Sequence, residues 1–181
     1  PPMSDSRPVR IITDSTSDIP ASMREALGIA VVPLTVTFGT TSYTDGVTIA
    51  PTEFLAKLQS SSTLPTTSQP PMPAFESAFR QAIDDGFDVV CITLSSELSG
   101  TFNSARLASE DFDDDRVSVV DSRTATMQLG WIAVAAARAA QQGASRTEVV
   151  AAAEHAVSHT RLFAVLQTLD YAYKGGRIGR A

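Results

Sequence analysis

The stretch Phe87-Asp88-Val89-Val90-Cys91-Ile92-Thr93-Leu94 opens into Ser95-Ser96-Glu97-Leu98-Ser99-Gly100-Thr101. A near-continuous apolar run of this length, bounded by turn residues, predicts a strand buried on both faces. A helix is predicted next, from about Thr101 to Glu110. The junction therefore places hydroxyls beside a helix N-terminus, whose unpaired N–H groups and partial positive charge attract a carboxylate or phosphate. No catalytic acid–base pair or metal-ligand spacing is spelled into the run. The stretch predicts a place that holds an anion.

The chain around it alternates strand and helix signals. Val9–Thr13 is a short apolar strand ending in Asp14-Ser15-Thr16-Ser17-Asp18. Pro20 suits the first turn of a helix that Gly28 closes. Ile29–Phe38 reads as a second strand with Pro33 inside it, which places part of it at an edge or bulge. Tyr43–Ile49 continues extended, Pro51–Leu58 is a short helix, and Ser60–Pro73 is a loop rich in Ser, Thr and Pro. Ala74–Asp85 has helical spacing through Phe75, Phe79 and Ile83. Val117–Val120 is a third core strand, followed by an Ala-rich helix over Leu129–Ala140. Ser145-Arg146-Thr147-Glu148 fits a capping box and starts another helix. Arg161–Leu166 is strand-like, and Tyr171–Gly179 is a basic, glycine-containing close. Strands separated by helices predict an α/β fold with a mainly parallel sheet flanked by helices.

Composition bounds the function. The 181 residues are 43% hydrophobic and 19% charged, as expected of a globular protein with a sizeable core. A formal charge of −6 argues against a nucleic-acid partner, which needs a basic face. No apolar run is long enough to span a bilayer. The single Cys91 falls within a strand pattern and reads as a packed thiol. One cysteine builds no internal disulfide framework, which fits a reducing cytoplasm.

Three core strands each release a hydroxyl cluster at the carboxyl end: Asp14–Ser17, Ser95–Thr101 and Asp121–Thr126. In open α/β sheets ligands bind at that edge. A loop over Thr66–Gln69 offers a fourth wall. His155 and His159 are spaced for one helix face, but no further histidine or matched cysteine accompanies them, so they read as helix surface and no metal is expected. Asp111 and Asp113–Asp115 lack calcium-loop spacing and read as a solvated turn. Asp14 reads as a cap that orients its loop, and Trp131 as a core residue.

Five motifs, in order, resemble the DegV family: Asp14-Ser-Thr-Ser-Asp18, Thr66-Thr-Ser-Gln-Pro70, Ser95-Ser-Glu-Leu-Ser-Gly-Thr101, Val120-Asp-Ser122 and Lys174-Gly-Gly-Arg-Ile-Gly179. The resemblance implies a non-catalytic lipid carrier of the bacterial cytoplasm, with no cofactor. Such a protein buries one long-chain fatty acid between two α/β domains and presents it to a fatty-acid kinase. Carried over by motif, Thr67 and either Ser95 or Ser96 would bind the carboxylate, with Ser96 favoured. Backbone N–H groups near Ser99 and Gly100 would assist, and Arg177 would lie near the head group.

Family members are longer than this chain, so the resemblance implies a flexible lead over 1–8, a DegV-like domain over 9–160, and the beginning of an incomplete second domain over 161–181. The chain is then a shortened form or a naturally short member. Half of the lipid tunnel and a distal head-group histidine would be missing, so weak fatty-acid binding and an open groove that invites a homodimer are expected. The rival reading is a serine-dependent lipid or ester hydrolase. Ser96 or Ser99 sits at a strand–helix turn, yet Gly-x-Ser-x-Gly is missing and the histidines fall on a predicted helix.

Overall fold

In the computed structural model, residues 7–177 are described. The elements run β1 (Val9–Asp14), a 3-10 turn (Ser15–Ser17), α1 (Ala21–Leu27), β2 (Ala30–Val32), β3 (Thr35–Phe38), β4 (Thr41–Thr44) and α2 (Pro51–Ser60). They continue with β5 (Thr66–Ser68), α3 (Met72–Asp84), β6 (Asp88–Thr93), α4 (Thr101–Ser109), β7 (Val117–Asp121), α5 (Thr126–Gln141), α6 (Arg146–His159) and α7 (Asp170–Lys174). Contacts divide the chain into two compact units, one holding residues to Val32 with Gln69–Arg161, the other Pro33–Ser68 with the residues from Leu162.

The first unit is built on a parallel sheet of order β2-β1-β6-β7. All six residues of β6 are buried, as its apolar run predicts for a central strand. Side chains alternate across the sheet. Val90 and Ile92 join Ile11, Leu129, Ile132 and Ala133 on the face covered by α5 and α6. Val89 and Cys91 join Ile12, Phe75, Phe79 and Ala105 on the face covered by α3 and α4. Burial pushes the Cys91 thiol well up from its ordinary pKa, with the charge of Asp14 adding to the effect. It is a packing residue.

The helices form for legible reasons. Gly28 closes α1 in the left-handed conformation at φ 64°, with its N–H on the Arg24 and Glu25 carbonyls. Phe75, Phe79 and Ala82 recur at helical spacing and form the buried stripe of α3. The capping box at Ser145 and Glu148 is present at the start of α6. In α5 the buried positions are Leu129, Gly130, Ile132, Ala133, Val134, Ala136 and Ala137. Trp131 points away from that stripe and is 51% exposed, which corrects its reading as core.

The second unit carries an antiparallel sheet of order β4-β3-β5, in which Val36 faces Tyr43 on one side and Thr67 on the other. Phe54 of α2 packs its ring 5.8 Å from that of Phe38. Four sequence readings change here, the first being Tyr43–Ile49, which is strand only to Thr44 and then turns over Gly46, Val47 and Thr48. Ile29–Phe38 is two strands in two different sheets, parted by Pro33, which has no N–H for a ladder. The Ser60–Pro73 loop contains β5, whose two threonines suit extended backbone. Arg161–Leu166 forms no strand. Phe163 and Val165 in it are 89% and 99% exposed.

The flexible lead expected over 1–8 lies outside the described residues up to Ser6. Arg7 and Pro8 are held, Arg7 by ion pairs to Asp88 and Asp115 and Pro8 by accepting the Asp88 N–H. Ile178 and Gly179 of the closing motif also lie outside the described residues.

Phe79 is fully buried, with ring centroids 6.0 Å from Phe75 and 5.9 Å from Phe112. Truncating it leaves a cavity between α3 and the sheet. Phe79→Ala is expected to lower the unfolding free energy by about 3–5 kcal/mol, read from urea melts of mutant and parent.

Candidate functional site

The chain leaves β1 through α1, whose Met23 and Leu27 pack on the α5 face of the sheet. It leaves β6 through α4, whose Ala105 and Ala108 pack on the opposite face. β1 and β6 are neighbours, so the topology switches direction between them. A crevice outside the carboxyl ends of two such strands is where open α/β sheets take ligands.

Asp14 closes the floor of this crevice. Its carboxylate accepts hydrogen bonds from the Thr16 N–H at 2.9 Å, the Thr16 hydroxyl at 2.5 Å and, across the switch, the Leu94 N–H at 2.7 Å. The side chain is fully buried. Burial raises its pKa above the usual carboxylate range, and the bonds from Thr16 and Leu94 pull the other way. Asp14 also caps the 3-10 turn, the role its position in the sequence suggests. Helix α5 runs so close to this turn that a Cβ at Gly130 would sit 2.4 Å from the Ser17 carbonyl oxygen.

The Ser95–Gly100 loop begins one residue after the Asp14 bond. Ser95 is buried, donates its N–H to the Thr124 carbonyl at 2.8 Å, and accepts the Glu97 N–H on Oγ at 3.2 Å. Its carbonyl takes the Leu98 and Ser99 N–H groups at 3.0 and 3.2 Å. Ser96 is exposed and leans on the end of β7. Its hydroxyl donates to Asp121 Oδ2 at 2.6 Å, and its N–H lies 3.2 and 3.4 Å from the two carboxylate oxygens. Ser99 and Thr101 share a hydroxyl–hydroxyl bond of 2.9 Å, and Thr101 N–H donates to Ser99 Oγ at 3.3 Å.

Gly100 caps α4, and a side chain here would have to move the end of Gln69. A Cβ would fall 2.1 Å from Gln69 Oε1, because the Gln69 side chain lies against the loop. The Gln69 amide is anchored in turn by donating to Ser104 Oγ at 2.9 Å. The end of β7 completes the edge: Asp121 Oδ1 accepts the Arg123 N–H at 2.9 Å, and Ser122 and Thr124 bond each other. The edge is thus a hydroxyl-lined rim beside the start of α4, with first-turn N–H groups aimed back at it.

The structure brings Ser95, Ser96, Ser99 and Gly100 together on this rim. In the second unit it brings Thr67 and Arg177 together: Arg177 Nη2 donates to Thr67 Oγ1 at 3.4 Å and Nη1 to the Gly175 carbonyl at 2.6 Å. Sequence reasoning missed two residues. Asp121 stood in a flagged cluster, but its bond to Ser96 follows from the β6–β7 register, which sets Thr93 beside Asp121. Gln69 stood in a flagged motif, but its contact with Gly100 spans distant segments.

Among the described residues, no hydrogen bond joins Ser95, Ser96 or Ser99 to a histidine; Ser96 is paired with a carboxylate instead. His155 and His159 stack on α6 with ring centroids 3.9 Å apart. The described residues contain no group of three or more metal-ligating side chains placed to hold an ion, and no helix long and apolar enough to cross a membrane.

Comparison with known proteins gives a consistent result. The family model described as an uncharacterised protein of the DegV family matches residues 8–181. A DegV domain-containing protein of Caldanaerobacter subterraneus is 40% identical over 172 residues, covering 95% of this chain and 61% of the relative. One from Streptomyces coelicolor is 40% identical over 177 residues, covering 97% and 62%. A fatty-acid-binding DegV family protein of Thermus thermophilus superposes with a TM-score of 0.85 at 35% identity, over 95% of this chain and 61% of its own. DegV of Bacillus subtilis, a fatty acid binding protein, gives 0.87 at 30% identity, over 94% and 61%. The chain therefore spans about three fifths of the length of these relatives.

A side chain at Gly100 must displace Gln69 and so break its bond to Ser104. Gly100→Ala is expected to cost about 0.5–1.5 kcal/mol of stability, the worth of that one hydrogen bond, measured by chemical denaturation. In the Gln69→Ala background, which vacates the space, the same change should cost much less.

Proposed function

Because the chain belongs to the DegV family, we propose that it binds a long-chain fatty acid by its carboxylate and presents it to a fatty-acid kinase, without catalysing the transfer itself. The observation that carries this reading is the hydroxyl rim at the switch point of a fold shared with solved fatty-acid-binding proteins. Ser95, Ser96, Ser99 and Gly100 are the proposed head-group residues, and Thr67 and Arg177 are proposed with them on the family's motifs alone.

The chemistry of the rim suits a carrier. Neutral hydroxyls and a helix start hold an anion without a buried bidentate arginine, so the ligand can be released again. The setting we propose is the bacterial cytoplasm, where a carrier and a kinase would meet. Each methylene of an acyl tail contributes about 0.8 kcal/mol when buried. Native mass spectrometry of freshly purified protein tests the ligand class directly. A co-purified mass equal to a fatty acid is expected; a bare protein that also fails to bind added palmitate would sink the reading.

Homodimerisation is the second element of the proposal. Leu162, Phe163, Val165, Leu166 and Leu169 are large, apolar and exposed along one short stretch of chain. Such a run favours burial against a second copy. Light scattering after size exclusion should show a dimer that Phe163→Ser with Val165→Ser converts to monomer.

A further inference from the structure

The hydrogen bonds of the rim separate its hydroxyls in a different order from the family resemblance, which favours Ser96. A serine hydroxyl has one proton to donate and two lone pairs to accept with. The Ser96 proton is committed to Asp121 in a short bond of 2.6 Å, the length of a charge-assisted O–H···O⁻ contact. The Ser96 N–H is turned to the same carboxylate. Towards a ligand, Ser96 then presents only lone pairs, next to a negative charge. Ser95 differs. Its Oγ accepts from Glu97, and no acceptor for its proton is found among the described residues. In the Ser99–Thr101 pair one of two hydroxyl protons is used between them, which leaves one to donate.

We infer that Asp121 is a specificity-determining residue of the head-group site: it withholds the Ser96 donor and sets a negative charge beside the rim, so that an anionic head group is held by Ser95 and the Ser99–Thr101 pair and is held loosely. The inference rests on the fatty-acid reading above and refines it. Asp121 reaches its position through the end of β7, and its carboxylate also accepts the Arg123 N–H, so the charge is fixed in place by two loops. Neutralising it weakens its hold on the Ser96 proton and removes the like-charge repulsion at once.

The test is a titration of the 181-residue chain and of Asp121→Asn with oleate and with oleyl alcohol, the second ligand having the same tail and no charge. Asparagine keeps an oxygen acceptor for the Ser96 and Arg123 N–H groups, and circular dichroism confirms that the fold is retained. Oleate is expected to bind Asp121→Asn about tenfold more tightly, the order of effect of removing one nearby charge that solvent partly screens. Oleyl alcohol should gain far less. Adding Ser96→Ala to Asp121→Asn should remove the part of the oleate gain that the freed Ser96 hydroxyl supplies and leave the part due to relieved repulsion. Oleate binding that is unchanged or weaker in Asp121→Asn overturns the inference while leaving the fatty-acid reading intact. So does an equal gain for the alcohol, or a gain that survives Ser96→Ala in full. If no form binds oleate, the fatty-acid reading fails and this inference falls with it.

Discussion

The bond from the Leu94 N–H to the Asp14 carboxylate is the constraint on which the site depends. At a topological switch point two neighbouring strands send their chains to opposite faces of the sheet, and here the ladder stops at Thr13 and Ile92. Here a buried carboxylate spans the gap. Removing a charge from water is costly, and Asp14 is tolerated because Thr16 and Leu94 supply three donors to it. The same bonds fix the residue before Ser95. The hydroxyl rim is therefore set by an anion that belongs to the protein, placed just beneath the edge where an external anion is proposed to sit.

Two other buried polar groups at this end of the sheet have a different meaning. The Thr13 and Thr93 hydroxyls are buried and have no hydrogen-bond partner. Thr13 follows Val9 and Ile11 onto the α5 face, whereas Thr93 follows Val89 and Cys91 onto the α3 and α4 face. They point to opposite sides of the sheet, so no single ligand can satisfy both. Each costs stability where valine would have the same shape, and nothing in the structure accounts for the choice of threonine.

The parts of the fold that were legible are those decided by local chemistry. A continuous apolar run gave the central strand, Gly28 gave a helix end, and Ser145 with Glu148 gave a helix start. The parts that were not legible depend on partners distant in sequence. Pro33 reads as an edge position within one strand, but the change of sheet there depends on which strands lie on either side. β5 is three exposed residues stabilised by pairing with β3, and pairing leaves no trace in composition. Trp131 falls off the buried stripe of α5 because alanines and Gly130 let that helix approach the turn closely, leaving the bulky ring to solvent. The site followed the same division. Its hydroxyls could be named from three strand ends, while the donors among them could not be told apart until Asp121 was placed beside Ser96.

That distinction bears on what kind of site this is. An anion site made for retention would surround its ligand with cations and leave no carboxylate near. This rim has the reverse character: its donors are neutral, Asp14 lies beneath it and Asp121 beside it. Carboxylates so close to the rim lower the affinity for any anionic head group and make it sensitive to how the Ser96 loop is held. For a proposed carrier this is the useful regime. Burial of the tail supplies most of the binding free energy, scaled by chain length, while the head-group contacts set orientation. Release of the proposed ligand would then require only that a weakly held carboxylate be drawn away from the Ser95 loop, with no buried ion pair to break among the rim residues.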